Sequence, residues 1–87
     1  MLNELINTDI IVDTPYDYQY IGKLIRFDDE YVELETADVH DTKESSATKE
    51  QYAMEASRDF IKANRKKVLI KQSTILSISK LEDIIIF

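Results

Sequence analysis

Apolar and polar residues alternate with a period of two over much of this chain, and the breaks in that alternation outline its elements. From Asp9 to Asp13 the run Ile10-Ile11-Val12 is β-branched, which suits a pleated, half-buried surface. Thr14-Pro15-Tyr16-Asp17 follows; Pro15 has a fixed φ and no N–H for a ladder, so strand gives way to turn. A second strand is predicted from Tyr18 to Phe27, bent at Gly22, with Asp28-Asp29-Glu30 as the next turn. In a third strand, Tyr31 to Thr36, the alternation puts Val32, Leu34 and Thr36 on one face and Tyr31, Glu33 and Glu35 on the other. Lys67 to Lys71 and Thr74 to Ser79 read as a final strand pair across Gln72-Ser73, followed by an apolar tail of Leu81 and Ile84 to Phe87.

Two stretches change to the helical period. Leu2, Leu5 and Ile6 fit a short N-terminal amphipathic helix ended by Asn7-Thr8. Thr48-Lys49-Glu50-Gln51 has the form of a capping box, in which the threonine hydroxyl accepts from the Gln51 amide and the glutamine reaches back. Behind it Tyr52, Ala56, Phe60 and Ala63 form one apolar stripe, with Glu55/Arg58 and Asp59/Lys62 as i, i+3 pairs on the wet side. The expectation is one domain over residues 1–87, mainly β with helices, carrying a helical insert at about 41–66.

With 87 residues and 44% apolar content, the chain can bury one modest core, and a partner surface would add to it. It has no cysteine, so neither a disulfide nor a thiolate metal site supports the fold. The N-terminus lacks a basic segment followed by a long apolar run, and no aliphatic stretch approaches a membrane span. A cytoplasmic protein with no membrane partner is expected. The formal charge of −6 argues against a general nucleic-acid coating protein, because lysine and arginine supply most nonspecific affinity for phosphate. The charge is uneven. Residues 41–67 hold seven of the eleven basic residues, among them the one basic cluster, Arg65-Lys66-Lys67, against five acids. The remainder is acidic.

The lone glycine lies in a strand, where glycine marks sharp bending or close backbone approach. Gly22, Leu24, Phe27 and Asp28 fall in the order glycine, hydrophobic, then hydrophobic-aspartate at a turn, and Ile70-Lys71-Gln72 supplies hydrophobic-basic-small between two later strands. With this pair of motifs the chain resembles the Sm and Sm-like (LSm) superfamily, including its bacterial host-factor branch, Hfq, over nearly everything outside residues 41–66. The resemblance implies an Sm-like fold: an N-terminal α-helix and five strongly bent antiparallel strands closed into a small barrel. It also implies a homo-oligomeric ring, pentamer to heptamer, in which strand 4 pairs with strand 5 of the next copy. RNA would lie near the second-to-third and fourth-to-fifth strand turns, here at Asp28, Asp29, Glu30 and Tyr31 and at Lys71 and Gln72. Tyr31 stands where the bacterial branch has a stacking aromatic, and alternation turns it away from the core. An exposed aromatic beside a lysine suits unpaired bases.

The leading expectation is therefore a noncatalytic ring protein that binds short single-stranded RNA, U- or A-rich, through Tyr31, Lys71 and Gln72, with Asp28 shaping the loop and no cofactor. The alternative is a ring-forming scaffold or protein-interaction module without useful RNA affinity. Its grounds are the three acids at 28–30, the absence of asparagine from 28 to 36, and a lysine where a bidentate arginine would stand. The helical insert is the candidate surface for a protein partner. His40-Asp41 is the one pair that invites an enzymatic reading, but a lone histidine without cysteine is far from a set of convergent metal ligands. One glycine cannot build a phosphate loop.

Overall fold

The computed structural model describes residues 1–44 and 48–86. Five strands, β1 (Asp9–Asp13), β2 (Tyr18–Phe27), β3 (Tyr31–Asp41), β4 (Arg65–Lys71) and β5 (Ser77–Lys80), form one antiparallel sheet in the order β4-β3-β2-β1-β5. One helix, α1 (Lys49–Arg58), lies between β3 and β4. The β1–β2 turn forms as its sequence predicts: Thr14 Oγ1 accepts from Tyr16 N at 3.3 Å and donates to Tyr18 O at 2.8 Å.

Each face of the sheet carries an apolar cluster, and the two are covered differently. On the inner face Ile10, Val12, Leu24, Val32, Leu34, Ala37 and Ile70 make one cluster, joined by Ile78 of β5 and by Leu5 and Ile6. Residues from all five strands meet there, so the sheet wraps around a single interior. On the outer face Ile11 and Ile21 pack under Ala53 and Ala56 of α1 and Leu81. A strand whose two faces are both covered reads as a continuous apolar run, which is the pattern of Ile10-Ile11-Val12.

Two bulges bend the β2–β3 pair. Ile21 pairs with Asp38 and Lys23 with Glu35, so β3 carries the extra residue opposite Gly22; from Leu24–Leu34 to Arg26–Glu33 the extra residue is on β2, at Ile25. An unpaired residue increases local twist and curvature. Thr36, at the first bulge, has φ of 50° and is exposed. It therefore leaves the Val32/Leu34 face assigned by strict alternation, because the added residue flips the parity of everything beyond it. Restored after the bulge, β3 continues to Asp41 rather than ending at Thr36.

Other expectations change as well. The N-terminal segment is a 3-10 turn, Leu2–Leu5, with no side-chain cap, rather than an α-helix. Asn7 at φ 66° and the Thr8 hydroxyl bond to Leu5 O stop it after one turn, and so short a segment cannot repay helix nucleation. Leu5 and Ile6 still pack on the inner cluster. The α1 stripe is Tyr52, Ala53 and Ala56, whereas Phe60 and Ala63 lie beyond the helix and are exposed. Of the charged side chains on that segment, Arg58 pairs with its neighbour Asp59 at 3.3 Å. Finally, Gln72–Thr74 is a 3-10 turn and β5 starts only at Ser77. The barrel is not closed within the chain: β4 pairs only with β3 and β5 only with β1 among the described residues.

Candidate nucleic-acid interface

The β2–β3 turn is organised by one carboxylate. Asp28 Oδ1 accepts from Glu30 N at 2.8 Å and Tyr31 N at 2.7 Å, while Asp28 N donates to Tyr31 O at 2.9 Å. An aspartate that satisfies its own turn is the usual Asx arrangement. The amide of Tyr31, and then that of Glu30, stabilise the ionised form and hold the Asp28 carboxyl below its ordinary value. Asp28 thus shapes the loop, and its carboxylate is occupied in doing so.

The β4–β5 corner docks onto this turn. Tyr31 is the register partner of Lys71, Gln72 N donates to Glu30 O at 2.7 Å, and the Gln72 side-chain amide donates to the carbonyl of Asp28. Thr74 Oγ1 closes the corner on Lys71 O at 2.7 Å. Residues forty or more positions apart, Asp28 and Tyr31 on one turn and Lys71 and Gln72 on the other, come together at one edge of the sheet. Gln72 spends its amide donor on the backbone, so it acts here as a brace between the turns. Tyr31 and Lys71 remain exposed on the outer face, and Lys71 makes no ion pair among the described residues.

Beside Tyr31 the outer face sinks into an open hollow of about 400 Å³, lined by Arg26, Phe27, Asp28, Tyr31, Glu33 and Leu69. Arg26 and Glu33 face each other across β2 and β3; Glu33 Oε1 receives Arg26 Nε at 3.1 Å and Nη2 at 3.0 Å. Sequence reasoning did not single out this pair. The signal was present in the alternation that places Glu33 on the Tyr31 face, but the bulge at Ile25, which brings Arg26 opposite Glu33, has no local signature. Phe27 and Leu69 are exposed at the hollow, adding apolar surface next to the tyrosine ring.

The remaining candidates lie elsewhere. Arg65, Lys66 and Lys67 are exposed at the opposite end of β4 from Lys71, with Lys67 opposite Glu35. His40 is buried under α1, its ring stacked on Tyr52 at 3.7 Å between centroids and 12° between planes. The Tyr52 hydroxyl donates to Asp38, whose carboxyl is pushed up by burial while His40 and Lys62 oppose the shift. This group ties the helix to the sheet. No cluster of three metal-ligating side chains occurs among the described residues, and no helix there is long and apolar enough to cross a membrane.

No protein-family profile matches the chain, and no curated protein matches it. Solved structures do. A Pyrococcus abyssii Sm protein, in complex with a uridine heptamer, superposes with a TM-score of 0.63 at 18% identity over 91% of this chain and 90% of that one. An Sm-like protein from Archaeoglobus fulgidus gives 0.61 at 15% identity over 92% and 88%. Similarity of this kind, spanning nearly the full length of both chains at low identity, reports the shared path of the backbone. The strand order, the wrapped sheet and these superpositions agree: the chain has the Sm-like fold.

Proposed function

We propose that this chain is a noncatalytic, ring-forming Sm-like protein that binds short single-stranded RNA at the corner where the β2–β3 and β4–β5 turns meet. One observation carries the reading: two turns far apart in sequence are bonded together so that Tyr31 and Lys71 stand side by side on an accessible face. A base can stack on the tyrosine while the ammonium meets a phosphate or a base oxygen. Asp28 and Gln72 hold the corner in shape rather than reading the ligand. The similar Pyrococcus protein was solved with a uridine heptamer, which supports a nucleic-acid role for the shared architecture. The ring reading is supported by the outer edges of β4 and β5, which have no strand partner among the described residues, since a small barrel removes its edges by pairing them with another copy.

A scaffold without RNA affinity is the competing reading, and the exposed acids Asp28, Asp29 and Glu30 favour it. Fluorescence anisotropy with labelled oligonucleotides, titrated with salt, separates the two. RNA binding predicts affinity that falls as salt rises and a loss on the order of tenfold for Tyr31→Ala, the scale of one stacked base. Lys71→Ala weakens binding and flattens the salt dependence. Absence of binding at low salt, or binding indifferent to both substitutions, supports the scaffold.

A further inference from the structure

The hollow beside Tyr31 contains a carboxylate that neither the turn nor the core uses. Glu33 is 8% exposed and lines the hollow with Tyr31, Phe27 and Leu69. Both contacts from Arg26 converge on its Oε1, and Oε2 has no hydrogen-bond partner among the described residues. A largely buried carboxylate that keeps one oxygen without a protein partner can accept from a donor that enters the hollow. Arg26 is itself largely exposed, and a guanidinium has further N–H groups beyond the two engaged here. A volume of about 400 Å³ falls within the usual range for small-ligand sites, about 300–1,000 Å³.

We propose that this hollow is a guanine-selective base site, in which the ring stacks on Tyr31 and the Glu33 carboxylate, braced by Arg26, accepts from guanine N1–H and the 2-amino group. The proposal rests on the RNA reading above and adds which base the corner selects. A carboxylate offers acceptors only. Guanine presents two adjacent donors on its pairing edge, with O6 next to them within the compass of the remaining Arg26 N–H groups. Uracil presents one N–H between two carbonyls, so its second contact sets oxygen against oxygen. Adenine and cytosine place a ring-nitrogen lone pair beside the amino group, which a carboxylate repels.

Anisotropy titrations of the unmodified protein test this with four short RNAs: oligouridine, and the same oligomer with one central guanine, inosine or 1-methylguanine. Inosine lacks the 2-amino donor, and 1-methylguanine lacks the N1 proton. The guanine oligomer should bind on the order of tenfold tighter than oligouridine, inosine should fall between, and 1-methylguanine should lose the advantage. Glu33→Gln should erase the preference for the guanine oligomer over the 1-methylguanine oligomer. Because the modified bases give their answer in the unmodified protein, a folding defect in that variant leaves the test intact. Equal affinity for guanine and 1-methylguanine oligomers overturns the base site and leaves RNA binding standing. Failure of all four RNAs to bind removes the RNA reading and the base site together.

Discussion

Gly22 occupies the first β2–β3 bulge, where β3 crosses so near that a Cβ built on the glycine would lie 2.9 Å from Ala37 Cβ and 3.0 Å from Ala37 Cα. Its φ is not positive, so the requirement is for space rather than for a conformation closed to other residues. A lone glycine in a strand signals either bending or close approach; here it accommodates both, at one point. Gly22→Ala should destabilise the fold by about 1–3 kcal/mol, the scale of overpacking a tight contact, and Ala37→Gly should restore part of the loss in urea unfolding. Asp28 was equally legible, since aspartate in a short turn commonly takes up neighbouring amides. Its folded pKa lies below the unfolded value, so its contribution is present above the unfolded pKa and is lost as pH falls through the folded one. Asp28→Asn should therefore lower stability at neutral pH, with the gap to the unmodified protein closing in acid, as followed by urea midpoints across that range. Arg26 and Glu33 were not legible as a pair, because their pairing depends on a register that one unpaired residue alters.

At the scale of elements, local signals showed where α1 begins but not where it ends, and they placed the starts of β4 and β5 at Lys67 and Thr74 rather than at Arg65 and Ser77. The α1 capping box forms as its residues indicate: Thr48 Oγ1 accepts from Gln51 N at 3.1 Å, and Gln51 Oε1 accepts from Thr48 N at 3.0 Å. The apolar period runs on through Phe60 and Ala63, yet the helix stops at Arg58. A nonlocal competitor accounts for this: Asn64 bonds both Val39 N and Val39 O through its side chain and Ala37 O through its amide, which commits the following residues to the sheet. Burial and hydrogen bonding across the chain outweigh the modest intrinsic preference for continuing a helix. The attachment of α1 likewise depends on distant residues, Tyr52 bonding to Asp38 and stacking on His40. Tyr52→Phe keeps the ring but leaves the buried carboxylate without this donor. It should cost about 1–3 kcal/mol in urea unfolding, with the helical circular dichroism signal retained at low denaturant.

For the whole molecule, five antiparallel strands followed from the resemblance that the two motifs suggest, and the structural similarity to Sm and Sm-like proteins supports that fold. The expected pairing of the last two strands with each other does not form among the described residues, where β4 pairs with β3 and β5 with β1. Closure did not follow from the chain taken alone. The wrapped sheet ends in β4 and β5, each with one neighbour among the described residues, and Leu69 and Leu76 are exposed on and near those edges. Paired edges between copies would continue the ladder from subunit to subunit, and because such a contact is head-to-tail it must close into a ring or extend as a filament. Light scattering coupled to size exclusion at micromolar concentration tests this most directly. The account predicts a single peak with a mass five to seven times that of one chain, and a stable monomer would contradict it.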